Sequence, residues 1–119
     1  MHYQLTEHDN YIRAVIGDGA DLEQFASFYR ELQARCLVRG LDRALVVVRP
    51  EDAVPGPDWL GTFERAGFME GFKLALVCAT WTLYQACNKA EQAANQAAVN
   101  VRAFLQEMEA VSWLTANKN

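Results

Sequence analysis

The chain reads as a single α/β domain over residues 1–119, with a mainly parallel sheet and an antiparallel hairpin at one edge. Three observations predict it. Strand-like and helix-like patterns alternate in the order ββαβαβαβα, the order that builds parallel sheets through helical crossovers. Two strand patterns, "RALVVVR" at 43–49 and "KLALVCA" at 73–79, are apolar without polar alternation, so both of their faces must be covered. Finally, 119 residues that are 51% hydrophobic suffice for one core and are too few for two.

The elements follow in order. "HYQLT" at 2–6 and "YIRAVI" at 11–16 are extended in pattern, and "EHDN" between them reads as the turn of a hairpin. Asp21 with Gln24 three residues later has capping-box spacing and opens a helix whose buried stripe is Leu22, Phe25, Tyr29, Leu32 and Cys36. Gly40 ends it. After the doubly covered strand at 44–48 comes the longest irregular stretch, "RPEDAVPGP", and Pro57 then suits the first turn of a helix over 58–70 that Gly71 stops. "KLALVCA" is the second interior strand. Thr82 and Gln85 again have capping-box spacing, so the next helix is expected from Leu83, with Leu83, Cys87, Ala90, Ala94 and Ala97 facing inward. "NVRAFL" at 100–105 is the last strand, and "QEMEAVSWL" at 106–114 closes the domain as a helix with Glu107 and Glu109 at its positive end.

Composition narrows the function. The net charge is −4, so no broad cationic surface exists to attract phosphate backbones and no nucleic-acid partner is expected. The apolar runs are far shorter than a membrane span, and "MHYQLTEHDN" lacks the order of a signal peptide; a cytoplasmic protein is expected. Cys36, Cys78 and Cys87 form no CxxC pair and read as reduced thiols filling the core. His2 and His8 lack ligand spacing, so neither a metal nor any other cofactor is expected. No GxSxG, P-loop, HExxH or dinucleotide fingerprint is present, which argues against an enzyme.

The order of elements, together with "FKLALV" at 72–77 and "NVRAF" followed by "EAVSWL" at 100–114, resembles the SpoIIAA-like branch of the STAS superfamily, named for sulfate transporters and anti-sigma-factor antagonists. The resemblance implies a non-catalytic regulatory or protein-interaction module. It also implies a switch, since the antagonists are phosphorylated on Ser or Thr at the start of the helix after the central strand. Here that place is "RPEDAVPGPDWLG", which contains neither residue, so the module is expected to work without the switch. Asp52 and Asp58 either carry a fixed negative charge there or are ordinary partners of the helix dipole, as acidic residues near a helix start commonly are. The lipid-binding domains often grouped with this branch imply an alternative, a binder of an apolar small molecule or a membrane surface that uses helix 58–70 as a mobile lid. "WLGTFERAGFMEGF" carries Trp59, Leu60, Phe63, Phe68, Met69 and Phe72, more apolar bulk than one face of a surface helix requires.

In parallel sheets the loops at the carboxyl ends of the strands form the functional crevice. The two such loops here, 49–58 and 79–82, make Asp52, Asp58, Trp59, Phe63, Thr80 and Trp81 the residues expected to face a partner or ligand. A homodimer is also expected, because Ala86 and Ala93 lie off the inward stripe of an alanine-rich helix and would meet a second subunit.

Overall fold

Short alternating strands joined by a polar turn pair first with each other. β1 (His2–Glu7) and β2 (Ile12–Gly17) run antiparallel, with Tyr3 opposite Ile16 and Leu5 opposite Ala14. The computed structural model describes residues 2–17, 22–48, 67–78 and 80–116. Beyond the hairpin these form α1 (Leu22–Val38), β3 (Arg43–Val48), β4 (Lys73–Cys78), α2 (Trp81–Gln96), β5 (Asn100–Phe104) and α3 (Glu107–Thr115). The five strands lie side by side in chain order, and β2 to β5 are parallel.

A sheet that adds strands in one direction through right-handed crossovers carries its connecting helices on one face. Accordingly, Ile12, Ala14, Val46, Leu74 and Leu76 meet Phe28, Tyr29 and Leu32 of α1 and Cys87, Ala90 and Ala94 of α2 in one core. The opposite face is left to α3, whose Ala110 and Leu114 cover Leu45, Ala75 and Val77. The unbroken apolar runs reflect this double cover: Ala44, Leu45 and Val46 are successive residues and all are 0% exposed. The cover stops short of Val47, which the run placed in the dry interior and which is half-buried. α3 has only nine residues and does not span that face.

Of the stripe expected on α1, Tyr29, Leu32 and Cys36 are fully buried, while the Leu22 and Phe25 side chains lie outside the described residues. Phe28 joins the stripe because the helix also faces the hairpin. Its ring meets Tyr3 edge-on at 4.9 Å and lies 5.0 Å from that of Tyr29. Gln33 is buried as well, and its Oε1 accepts the Met69 N–H at 2.8 Å. At the end of α1, Gly40 is left-handed with φ 70, Leu41 N–H bonds the Cys36 carbonyl at 2.8 Å and Gly40 N–H bonds the Leu37 carbonyl at 3.0 Å. This is the paired C-terminal closure that glycine adopts without steric cost.

The helix expected over 58–70 lies outside the described residues as far as 66, and its last four residues are not helical. Residues 67–72 are a turn, with Gly67 at φ 63 and Gly71 at φ 81, that feeds directly into β4. Phe72 is fully buried there, and Phe68 lies 5.6 Å from it and 5.5 Å from Tyr29, ring to ring. The aromatic end of this segment is therefore core.

α2 packs closely because its inward residues are small; Ala93, expected to meet a second subunit, is partly buried against the same core as Ala90 and Ala94. Its end repeats the closure of α1 with a different residue. Val99 N–H bonds the Ala94 carbonyl at 2.8 Å, Ala98 N–H bonds that of Asn95 at 3.3 Å, and Ala98 sits at φ 60. An L-residue with a Cβ pays for that conformation, roughly 1–2 kcal/mol by general estimate. Ala98→Gly should accordingly stabilise the domain by about 0.5–1 kcal/mol, partly offset by the greater freedom of glycine in the unfolded chain. A higher urea midpoint with unchanged slope is the expected reading, and an unchanged or lower midpoint would contradict it.

α3 is fastened at its first turn. Arg13 of β2 donates to Glu107 through Nε at 2.7 Å and Nη2 at 3.1 Å, a forked pair that also places a carboxylate at the positive end of the helix. Hydrogen bonding from Arg13 holds the Glu107 carboxyl below the usual glutamate range, outweighing the upward push of burial. A carboxyl depressed in the folded state contributes stability that is present above its unfolded pKa of about 4.3 and is lost as pH falls through the lower folded value. Because both side chains are partly exposed, the contribution is at most about 1 kcal/mol. Glu107→Gln should remove it at neutral pH and leave stability at acid pH nearly unchanged, as urea titrations at the two pH values would show.

Candidate functional site

β4 ends at Cys78, and α2 starts only three residues later, so the chain turns sharply at the carboxyl edge of the sheet. The Thr80 carbonyl accepts the Tyr84 N–H at 2.9 Å, the first bond of the helical ladder, which makes Thr80 the residue that caps α2. The capping box expected at Thr82 and Gln85 is thus displaced: the helix begins two residues earlier, at Trp81 rather than Leu83, and Thr82 lies within its first turn.

This start sets the direction of an indole. Trp81 is 62% exposed, and its ring stacks on that of Tyr84, one turn on, at 5.6 Å and 28°. Thr80 is exposed beside it. The two residues expected at this edge are therefore brought together at the surface. Asp52, Asp58, Trp59 and Phe63 lie outside the described residues.

Two further apolar side chains share this edge, where β5 gives way to α3. Leu105 is 40% exposed and Met108 is 76% exposed. Tyr84, Phe104 and Leu105 line one cleft of about 330 Å³, with Glu91, Arg102 and Glu109 at its polar margin. Met108 was legible in principle: it falls off the Ala110 and Leu114 stripe that buries α3, so a large apolar residue there had no core to enter. Leu105 carried no such signal, since its exposure depends on where β5 leaves the sheet.

Cys78 and Cys87 are joined by a disulfide, which corrects the expectation of three reduced thiols. The chain leaves β4 at Cys78 and folds back over the same strand, so a residue two turns into α2 returns to the strand end. Cys36 is free and buried; burial first, and Asp42 second, push its thiol up to about 11. It is a poor nucleophile. Among the described residues, no group of three or more metal-ligating side chains converges, and no helix is long and apolar enough to cross a membrane.

The arrangement offers a rigid platform, with an aromatic pair, an apolar cleft and charged groups at its rim. No family model, curated protein or solved structure matches the chain.

Proposed function

We propose that the chain is a protein-interaction module of the SpoIIAA-like STAS type, acting without a phosphoserine switch, and that it presents the carboxyl edge of its sheet to a protein partner. One observation carries this reading: Trp81, Leu105 and Met108, three of the five large apolar side chains exposed among the described residues, all lie on that edge. Apolar and aromatic side chains held on rigid elements, with charges around them, are the usual composition of a protein-binding centre. The sequential sheet with one antiparallel edge supports the fold side of the proposal. Ser27 and Ser112 lie within α1 and α3.

A photo-reactive phenylalanine analogue placed at position 81 or 108 tests the proposal in the source cell, with exposed position 34 on α1 as control. Positions 81 and 108 should give the same protein adduct and position 34 none; an adduct with a second copy would identify the partner as the homodimer. No protein adduct from 81 and 108, together with a lipid-sized mass retained in native mass spectrometry, would favour the apolar-ligand alternative instead.

A further inference from the structure

We propose that the opposite, amino-terminal edge of the sheet carries a binding site for the carboxylate or phosphate group of a small molecule, with Arg102 as its principal contact. The site adjoins the cleft described above, which Glu91 and Arg102 also line, but Arg43, Lys73, Asn95, Asn100 and Trp113 line this cavity and not that cleft. Parallel register sets Arg43 of β3 beside Lys73 of β4 and Lys73 beside Asn100 of β5, with Arg102 two residues further along. These four side chains, with Glu91, Asn95 and Trp113, line a cavity of about 420 Å³, within the range of small-molecule sites. In a chain of net charge −4, three cations facing one carboxylate across a single cavity is a local inversion of sign.

Two of the cations have a structural role. Arg43 donates through Nη1 to the Leu114 carbonyl and through Nε to Asp42 at 3.0 Å, and Lys73 donates to the Trp113 carbonyl at 3.1 Å while its ammonium lies 4.5 Å from the Trp113 ring centre. They cap the end of α3. That use spends two of the five guanidinium N–H donors and one of the three on the ammonium, leaving donors with no acceptor among the described residues.

The ends of α2 and α3 near the cavity are C-termini, each worth about half a negative charge, which would repel an anion. Three cations less Glu91 and Asp42, which pairs with Arg43, leave one positive charge, and the two helix ends offset about that much, so the attraction rests on Arg102 itself and not on a net field. The α2 carbonyls are moreover consumed by its own closure. Arg102 is the unspent group. It is exposed, makes no hydrogen bond or ion pair with a described residue, and its planar fork matches an oxyanion with two parallel bonds. Burial first, and then the neighbouring Arg43, lower the Lys73 pKa, against the upward pull of Asp42. The Asn95 and Asn100 carboxamides add neutral polar groups for the rest of a ligand.

Backbone and indole N–H resonances in a two-dimensional NMR titration at low ionic strength test the site, with inorganic phosphate in one arm and succinate in the other. Saturable shifts confined to Asn100, Arg102 and the Trp113 indole are expected in at least one arm, and the arm that saturates at the lower concentration identifies the group bound. Arg102→Ala and the milder Arg102→Gln should raise the midpoint about tenfold or more, with melting temperature unchanged, and Arg35→Ala on α1 should not. Shifts that grow linearly in both arms, that spread over the whole surface, or that survive both Arg102 variants would overturn the proposal.

Discussion

Val46→Asp should cost at least about 4 kcal/mol, enough to unfold many domains of this size outright. Val46 is 0% exposed at the centre of the sheet, on the face shared with α1 and α2. A carboxylate there would lose its hydration and gain no cation, because the surrounding core is apolar. The group would respond by protonating, so its folded-state pKa would rise above the unfolded value of about 3.9. A raised carboxyl pKa makes the penalty smallest at acid pH and largest above the folded value. The variant should therefore be unfolded or severely destabilised at neutral pH and partly rescued by acid, in a denaturant series followed by circular dichroism. Val47→Asp should cost distinctly less, since that side chain is half-buried and the charge keeps part of its water. Equal losses at the two positions would mean that the cover of β3 extends over Val47 and that its side chain is not half-buried.

The second large effect belongs to a residue that periodicity did not single out. Phe28→Ala should cost about 3–5 kcal/mol, as truncation of a buried aromatic does when the surroundings collapse only in part. The ring is fully buried and touches Tyr3 and Tyr29 in tilted and edge-on geometries that add to simple burial. Because one of those contacts is the hairpin, the loss should appear early in hydrogen exchange across β1. Trp81→Ala gives the contrast: it removes a larger ring from a site that is 62% exposed, and stability should change by only about 0.5 kcal/mol in either direction. Partner crosslinking from Met108 should fall with Trp81→Ala and remain in Phe28→Ala protein under conditions where it is folded. A Trp81→Ala variant as damaged as Phe28→Ala would make the indole a packing element and remove it from the interaction surface.

Much of the fold was legible because it rests on local rules. Unbroken β-branched runs require cover on both faces, and α1 and α2 on one side with α3 on the other supply it. Gly40 ends α1 because glycine enters the left-handed region freely, and it stands at φ 70. The same logic was silent for α2, whose closing residue is Ala98, forced into that region by the bonds of Ala98 and Val99 to the preceding turn. The start of α2 was legible only to within two residues. Thr80 and Thr82 are equally good caps, and the choice fell to Thr80, which follows the end of β4 more closely.

The chain by itself thus determined the order of the described strands and helices, the two interior strands and the turn at Thr80 and Trp81, all of which depend on neighbours within a few residues. Tertiary structure decided what depends on register between strands and on the path of each crossover. Phe28 became core because β1 lies beside α1, a contact outside any helical period. Cys78 found Cys87 because the crossover doubles back on its own strand. Arg43, Lys73 and Arg102, far apart in the chain and ordinary in isolation, came to line one cavity because parallel pairing aligns the beginnings of β3, β4 and β5. Charge acts through space, and that spacing exists only once the sheet has formed.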